Sequence, residues 1–189
     1  MEGILANITS QQVQRLKNAH AAGLLDRQIA EYAGVSLATT KRYRKQLGLE
    51  THSVTAQRGK LGERVTALYA AEAGLGVTWR ARDNDHYDLI IGGLLVDAKA
   101  SMMLPDGTWK FRLHEERVSF YGEYRYPKRL ANDCQVVAFV CLYPDTCEPG
   151  IYLLESAHLP TTVRIRPGGV YDTFKDDWSV FQQGARIMA

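Results

Sequence analysis

Cysteine is scarce. The 189 residues hold three, Cys134, Cys141 and Cys147, which leaves one over in any disulfide scheme and forms neither a C-x-x-C pair nor a Cys/His ligand pattern. A disulfide-stapled scaffold is thereby excluded, and these cysteines are expected to be reduced residues packed in and beside a strand. The five histidines, His20, His52, His86, His114 and His158, show no ligand spacing either. Long apolar runs are also missing, and none approaches the length of a membrane span. Met1 to Asn7 lacks the basic stretch and apolar core of a secretory signal, so the expected location is the cytoplasm, nucleoid-associated or in a phage host. A large excess of one charge is absent too, since the net charge is +2. With 46% hydrophobic and 23% charged residues, the chain can bury a core, which excludes a disordered tail.

The small net charge hides an asymmetry. Residues 1 to 58 carry 8 Lys or Arg against 4 Asp or Glu, whereas residues 59 to 189 carry 15 against 17. A basic module joined to a slightly acidic one concentrates polyanion binding at the front of the chain. The length admits two compact units.

The basic part reads as three short helices. Thr9 or Ser10 caps the first, which places Val13, Leu16 and Ala19 or His20 on one face before Gly23. Asp26 can cap a second that turns Ile29, Ala30 and Ala33 inward and stops at Gly34. Ser36 caps a third with Leu37, Thr40, Tyr43 and Leu47 inward, ending at Gly48. Small Ala30 at the crossing, glycine in the turn and an outward basic face on the third helix make a helix-turn-helix. A solvated face of a three-helix bundle is the plainer alternative. Residues 50 to 58 lose the helical period and turn polar, as a linker does.

The first fifty residues resemble the helix-turn-helix modules of resolvases, invertases and phage regulators. That resemblance implies double-stranded DNA as partner, with Ser36, Thr39 and Arg42 approaching base edges and Lys41, Arg44 and Lys45 approaching phosphates.

Helical patterning resumes at Lys60, with Leu61, Val65, Leu68, Tyr69 and Ala73 on one face, and ends at Gly74 to Gly76. Strand-like stretches follow at Val77 to Arg80, Tyr87 to Ile91 and Leu94 to Ala100, with Gly92-Gly93 as a hairpin turn. If those glycines are the central turn residues, Ile91 opposes Leu94, Ile90 opposes Leu95, and Asp88 opposes Asp97. One face of the hairpin is then apolar, and the other carries Asp88, Asp97 and Lys99. Two facing carboxylates repel, which raises one pKa or weakens the sheet, and a divalent cation resolves the conflict. Magnesium takes one or two carboxylates and fills its shell with water and phosphate. Lys99 would sit beside it, orienting a water or stabilising phosphate charge. His86 falls opposite Lys99, close enough to modulate the site, and the other histidines are expected to be structural or superficial. A salt bridge between Asp97 and Lys99 on a polar face is the plainer alternative.

Tyr87-Asp88, a short hairpin and Asp97-Ala98-Lys99 resemble the PD-(D/E)XK nuclease signature, with Tyr87 in place of the usual proline and Asp97 as the second acid. Gly62-Glu63 is similar to that family's helix-borne acidic position. The resemblance implies catalytic roles for Asp88, Asp97, Lys99 and Glu63, and one or two Mg²⁺ ions, with Mn²⁺ substituting, on Asp88, Asp97, Glu63 and the Ala98 carbonyl. It further implies phosphodiester hydrolysis leaving 5′-phosphate and 3′-hydroxyl ends.

Later strands are expected at Trp109 to His114, Val136 to Tyr143, Gly150 to Leu154 and Thr162 to Arg166. Lys110 and Arg112 alternate with Trp109 and Phe111, which puts them on a DNA-facing side. Tyr124 to Arg129 reads as an aromatic, basic loop, either touching nucleic acid or simply solvated. Trp178 and Phe181 are expected anchors of the last segment. The expected fold is α/β, a restriction-endonuclease-like mixed sheet flanked by helices plus a small all-α helix-turn-helix domain. Its expected parts are a reader over 1–50, a linker over 51–58 and a nuclease domain over 59–189 with its core in 59–166. Cutting both strands calls for a homodimer or higher symmetric oligomer. A homing or phage-type endonuclease fits this layout, against a non-cutting DNA-binding regulator with a dimerising second module, or a junction resolvase.

Overall fold

A computed structural model describes residues 8–82, 85–118, 124–145 and 148–184. Cys147 and the segment Met1 to Asn7 lie outside the described residues. The chain forms two compact units, Met1–Gln57 and Arg58–Ala189.

The first unit holds helices α1 (Ser10–Ala21), α2 (Asp26–Ala33) and α3 (Leu37–Gln46). Thr9 caps α1, with a capping box completed by Gln12. Ser36 caps α3 by accepting the Thr39 N–H at 3.1 Å. Gly34 ends α2 at φ 66°, the left-handed conformation that glycine adopts without a Cβ penalty. Leu16, Ala19, Ile29 and Ala33 form the buried core, with Tyr43 and Leu47 packed against it. Two expectations fail. Asp26 does not cap α2, because Leu25 occupies that position and its N–H is taken by the Gln28 side chain at 2.9 Å. Leu37, the first residue of α3, is exposed rather than inward, while Thr40 is fully buried.

Helix α4 (Val54–Glu72) begins within the stretch expected as linker, so residues 54–58 are helical. Its inward face also differs from expectation. Leu61 and Leu68 are exposed, and the buried stripe is Gly62, Thr66 and Ala70. The cause is close approach to the sheet: a Cβ on Gly62 would stand 2.8 Å from the Ala100 Cβ. Only small residues fit there, so side-chain volume outweighs hydrophobicity in choosing the face.

The second unit is built on a five-stranded sheet in the order β1-β2-β3-β7-β8. Its strands are β1 (Val77–Trp79), β2 (Leu89–Ile91), β3 (Leu94–Met102), β7 (Val136–Leu142) and β8 (Gly150–Glu155). The first three make an antiparallel meander; β7 runs parallel to β3, and β8 antiparallel to β7. Gly92 and Gly93, both at positive φ, form the turn that sets Ile91 opposite Leu94 and Leu89 opposite Val96. Strand β7 is buried along its whole length because both sheet faces are covered. On one face Ala138 and Val140 pack with Leu89, Ile91, Val96, Ala70 and Phe181. Trp178 and Phe181 thus anchor the last segment, as expected.

On the other face Val137 and Phe139 pack beneath a two-stranded ribbon of β4 (Trp109–Arg112) and β9 (Thr162–Ile165). Strands β5 (Glu116–Val118) and β6 (Arg125–Pro127) form a further pair. The segment expected as a loop at Tyr124 to Arg129 is therefore partly strand. The short helix α5 (Leu130–Asp133) leads into β7, and α6 (Val180–Gly184) closes the described chain. Cys134 and Cys141 are free and buried, and burial pushes the Cys134 thiol up to about 12, so it stays protonated at neutral pH.

Candidate active site

The hairpin and α4 bring three acids to one end of the sheet. Asp97 lies on β3, on the face that β4 and β9 cover, because its neighbour Val96 faces the other way, into the core beside α4. Asp88 immediately precedes β2. The ladder stops at Leu89 opposite Val96, and Asp88 takes over the pairing with its own groups. Its N–H donates to the Val96 carbonyl at 2.9 Å, and its Oδ2 accepts the Ala98 N–H at 2.9 Å. Asp88 therefore brackets Asp97 on the facing strand. Both are buried, at 8% and 5% exposure, too deep for a polar outer face. Glu63 arrives on α4, held close by the contact of neighbouring Gly62 with Ala100.

Two cations meet these acids. The Lys99 ammonium forms an ion pair with Asp97 Oδ2 and lies 3.5 Å from the Ala98 carbonyl oxygen. Arg80, one residue beyond β1, donates to Asp88 Oδ1 at 2.5 Å and approaches Glu63 at 3.7 Å. Desolvation raises the pKa of Asp88, with the charge of Asp97 adding to it. Glu63 is raised for the same reasons, first burial and then the charge of Asp88. Asp97 Oδ2 is fully buried and, though beside the ammonium, receives no well-directed hydrogen bond. The charge on that oxygen is met by the Lys99 ammonium, and a divalent cation there would have to share the oxygen with the lysine or displace it.

Whether a divalent cation fits can be judged from the donors. Two carboxylates on adjacent strands and a main-chain carbonyl are hard oxygen ligands of the kind magnesium takes. Among the described residues no group of three or more His, Cys, Asp or Glu is placed to hold a metal ion, so the candidate donors are the two aspartates and the carbonyl, without Glu63 as a third carboxylate in place. Magnesium does not need a third, since it retains water and binds substrate phosphate. The donor set fits.

Asp88 and Asp97 open onto a cleft of about 500 Å³ that Asp85, His86, His114, Glu116 and Lys128 also line. His86 reaches the site as expected. His114, expected as a surface or structural residue, lines the same cleft. Arg80 carries no motif of its own in the sequence. Its signal is the register: β1 pairs Trp79 with Leu89, and one further step sets Arg80 against Asp88.

The residues expected on DNA are divided. Lys41, Arg42 and Lys45 lie on α3, all three exposed, and Ser36 and Thr39 stand at its N-terminus, their hydroxyls 2.9 Å apart. Arg44 departs from expectation. It clamps Asp26 with bonds of 2.8 and 3.3 Å and donates to the Leu49 carbonyl at 2.8 Å, so its guanidinium ties α2 to the end of α3 instead of facing outward. Lys110 and Arg112 are exposed on the outer face of the ribbon.

No family model matches the chain, and no curated protein matches it. Among solved structures, a bacterial homing endonuclease, I-Ssp6803I, is similar over 72% of this chain and 99% of its own, with a TM-score of 0.57 and 18% identity. The likeness is one of fold. The mixed α/β sheet flanked by helices is consistent with an endonuclease-like fold. No helix among the described residues is long and apolar enough to cross a membrane.

Proposed function

We propose that the chain is a metal-dependent, sequence-guided DNA endonuclease of the PD-(D/E)XK type, with its helical unit as a helix-turn-helix reader. The observation that carries this is the convergence of Asp88 and Asp97 from neighbouring strands, with Lys99 paired to the second. The fold likeness to a homing endonuclease supports it. Asp88, Asp97 and the Ala98 carbonyl would hold Mg²⁺ or Mn²⁺, with Glu63 as an auxiliary ligand. Bound there, such an ion would supply Lewis-acid stabilisation of phosphate charge and an acidified water. Lys99 holds its ammonium where it orients that water or offsets charge on the phosphate. Arg80 pairs with Asp88 Oδ1 and lies near Glu63, and that hold would have to loosen for Asp88 Oδ1 to reach a metal. His86 and His114, at the cleft wall, are within the reach of a substrate that enters it.

Two strands need two cuts, and a symmetric homodimer supplies them. Supporting this, Leu61 and Leu68 lie two turns apart on α4 with both side chains exposed, an apolar stripe suited to a second copy. Substituting both by Glu is expected to give a monomer in sedimentation; an unchanged mass would move the dimer contact elsewhere.

The test is nicking of supercoiled plasmid carrying the target site, with and without Mg²⁺. Asp97→Ala and Lys99→Ala are each expected to lower cutting by about 10²- to 10³-fold, the cost of losing one electrostatic stabiliser, while DNA affinity survives. A second reading is a non-cutting DNA-binding regulator. It draws on the ion pairs of Arg80 and Lys99, which already neutralise much of the acid cluster. Absence of nicking by the native chain under every divalent cation would favour it.

A further inference from the structure

The ribbon of β4 and β9 carries a charge pattern that packing does not explain. Its inward residues, Trp109, Phe111, Val163 and Ile165, are all at most 4% exposed. Its outward residues are Lys110, Arg112, Thr162 and Arg164, all exposed. In the register Lys110 stands directly opposite Arg164, and Arg112 opposite Thr162. Like charges directly opposed on a sheet destabilise it. Asp106 offsets part of this by holding Arg164 at 2.9 Å, with Thr108 Oγ1 at 3.4 Å. Those bonds also fix the guanidinium in place. An outer face with opposed cations, one of them held in position, is complementary to a polyanion.

The ribbon also stands beside the candidate site. Asp97, Lys99 and Ser101 share one face of β3, and the Ser101 hydroxyl donates to the Lys110 carbonyl at 3.1 Å. At the other end of β4 the chain passes from Arg112 to His114, which lines the acidic cleft. The ribbon's cations thus lie on the same side of the sheet as the acids, one short segment away.

We propose that the outer face of this ribbon is a duplex-DNA surface of the second unit, with Lys110, Arg112 and Arg164 contacting backbone phosphates and Thr162 contributing a hydroxyl. This deepens the endonuclease reading and rests on it. Arg164 is the addition that sequence order conceals, since it lies over fifty positions beyond Lys110. A two-stranded ribbon is narrow enough to enter the major groove, and phosphate contacts there set the register of the duplex over the acids. The reader then does not bind alone; the second unit holds the DNA it acts on.

The experiment measures affinity of the full chain for a target duplex across a salt series in EDTA, where no metal-dependent cutting occurs. Removing one phosphate-binding cation lowers the slope of log affinity against log salt by ~0.9. K110Q/R164Q is expected to lower it by ~1.8 and R112Q by ~0.9, whereas R64A, on α4 across the sheet, leaves it unchanged. Melting of K110Q/R164Q should stay near that of the native chain; if that variant does not fold, R112Q decides. Unchanged slopes in folded ribbon variants overturn the proposal, and native cutting in Mg²⁺ would then leave the nuclease reading standing. Lowered slopes with no cutting under any metal would keep the ribbon and sink the nuclease reading. A native chain that binds no duplex would remove both.

Discussion

Helix α3 and the acidic end of the sheet use positive charge in opposite ways. On α3, Lys41 and Arg42 face solvent, whereas at the end of the sheet Arg80 and Lys99 are drawn onto Asp88, Glu63 and Asp97. An exposed cation costs little to leave in water and is available to a polyanion from solution. A cation held among buried acids instead tunes those acids, and its removal leaves charge without compensation. Arg44 is the exception that sharpens the contrast, because it lies on α3 yet behaves like the cations at the end of the sheet, locked to Asp26.

That contrast can be broken experimentally within one helix. The helical unit is built around a small core cluster of Leu16, Ala19, Ile29 and Ala33, so its stability is sensitive to single interactions. Arg44→Ala removes charge-assisted bonds at 13% exposure and is expected to destabilise that unit by roughly 2 kcal/mol, read as a lower melting temperature. Arg42→Ala, on the outer side of the same helix, should leave melting within about 0.5 kcal/mol and weaken DNA binding instead. Equal melting losses in both would show that exposure does not separate their roles.

A smaller effect concerns protons in the sheet unit. Burial raises the pKa of Asp88 and Glu63, so the folded chain holds these protons more tightly than the unfolded chain does. The stability they contribute is complete below the ordinary carboxylate range, roughly pH 4, and is lost as pH rises through the raised values. On the proposed metal reading, a divalent cation would take the place of the proton. The gap in melting temperature between chain with and without Mg²⁺ should therefore widen as pH rises, and a gap independent of pH would detach these acids from the ion.

Much of the fold is legible in local pattern. Gly92-Gly93 fixes the hairpin register because only a tight two-residue turn at positive φ joins those strands. The alternating stretch expected as a strand from Trp109 to His114 is likewise a half-buried strand, though only over Trp109–Arg112. Where the reading fails, a tertiary contact decides. The α4 face follows from the space left by Ala100 beneath Gly62, which no periodicity encodes. Arg44 has the residue type of a phosphate contact, but its partner is 18 positions away on another helix. Within the site, Asp88, Asp97 and Lys99 are found from one hairpin, while Arg80 and His114 come from its neighbours. Extending the meander by a strand finds Arg80; His114 requires knowing where β4 ends.

The claim beneath the functional reading is that Asp88 and Asp97 share a divalent cation. Calorimetric titration of Mn²⁺ into the full native chain and into Asp97→Ala tests it without reference to cutting. Saturable binding by the native chain, abolished or weakened at least about tenfold in the variant, is the predicted result; a tenfold change is about 1.4 kcal/mol. Identical isotherms for the two proteins would contradict it.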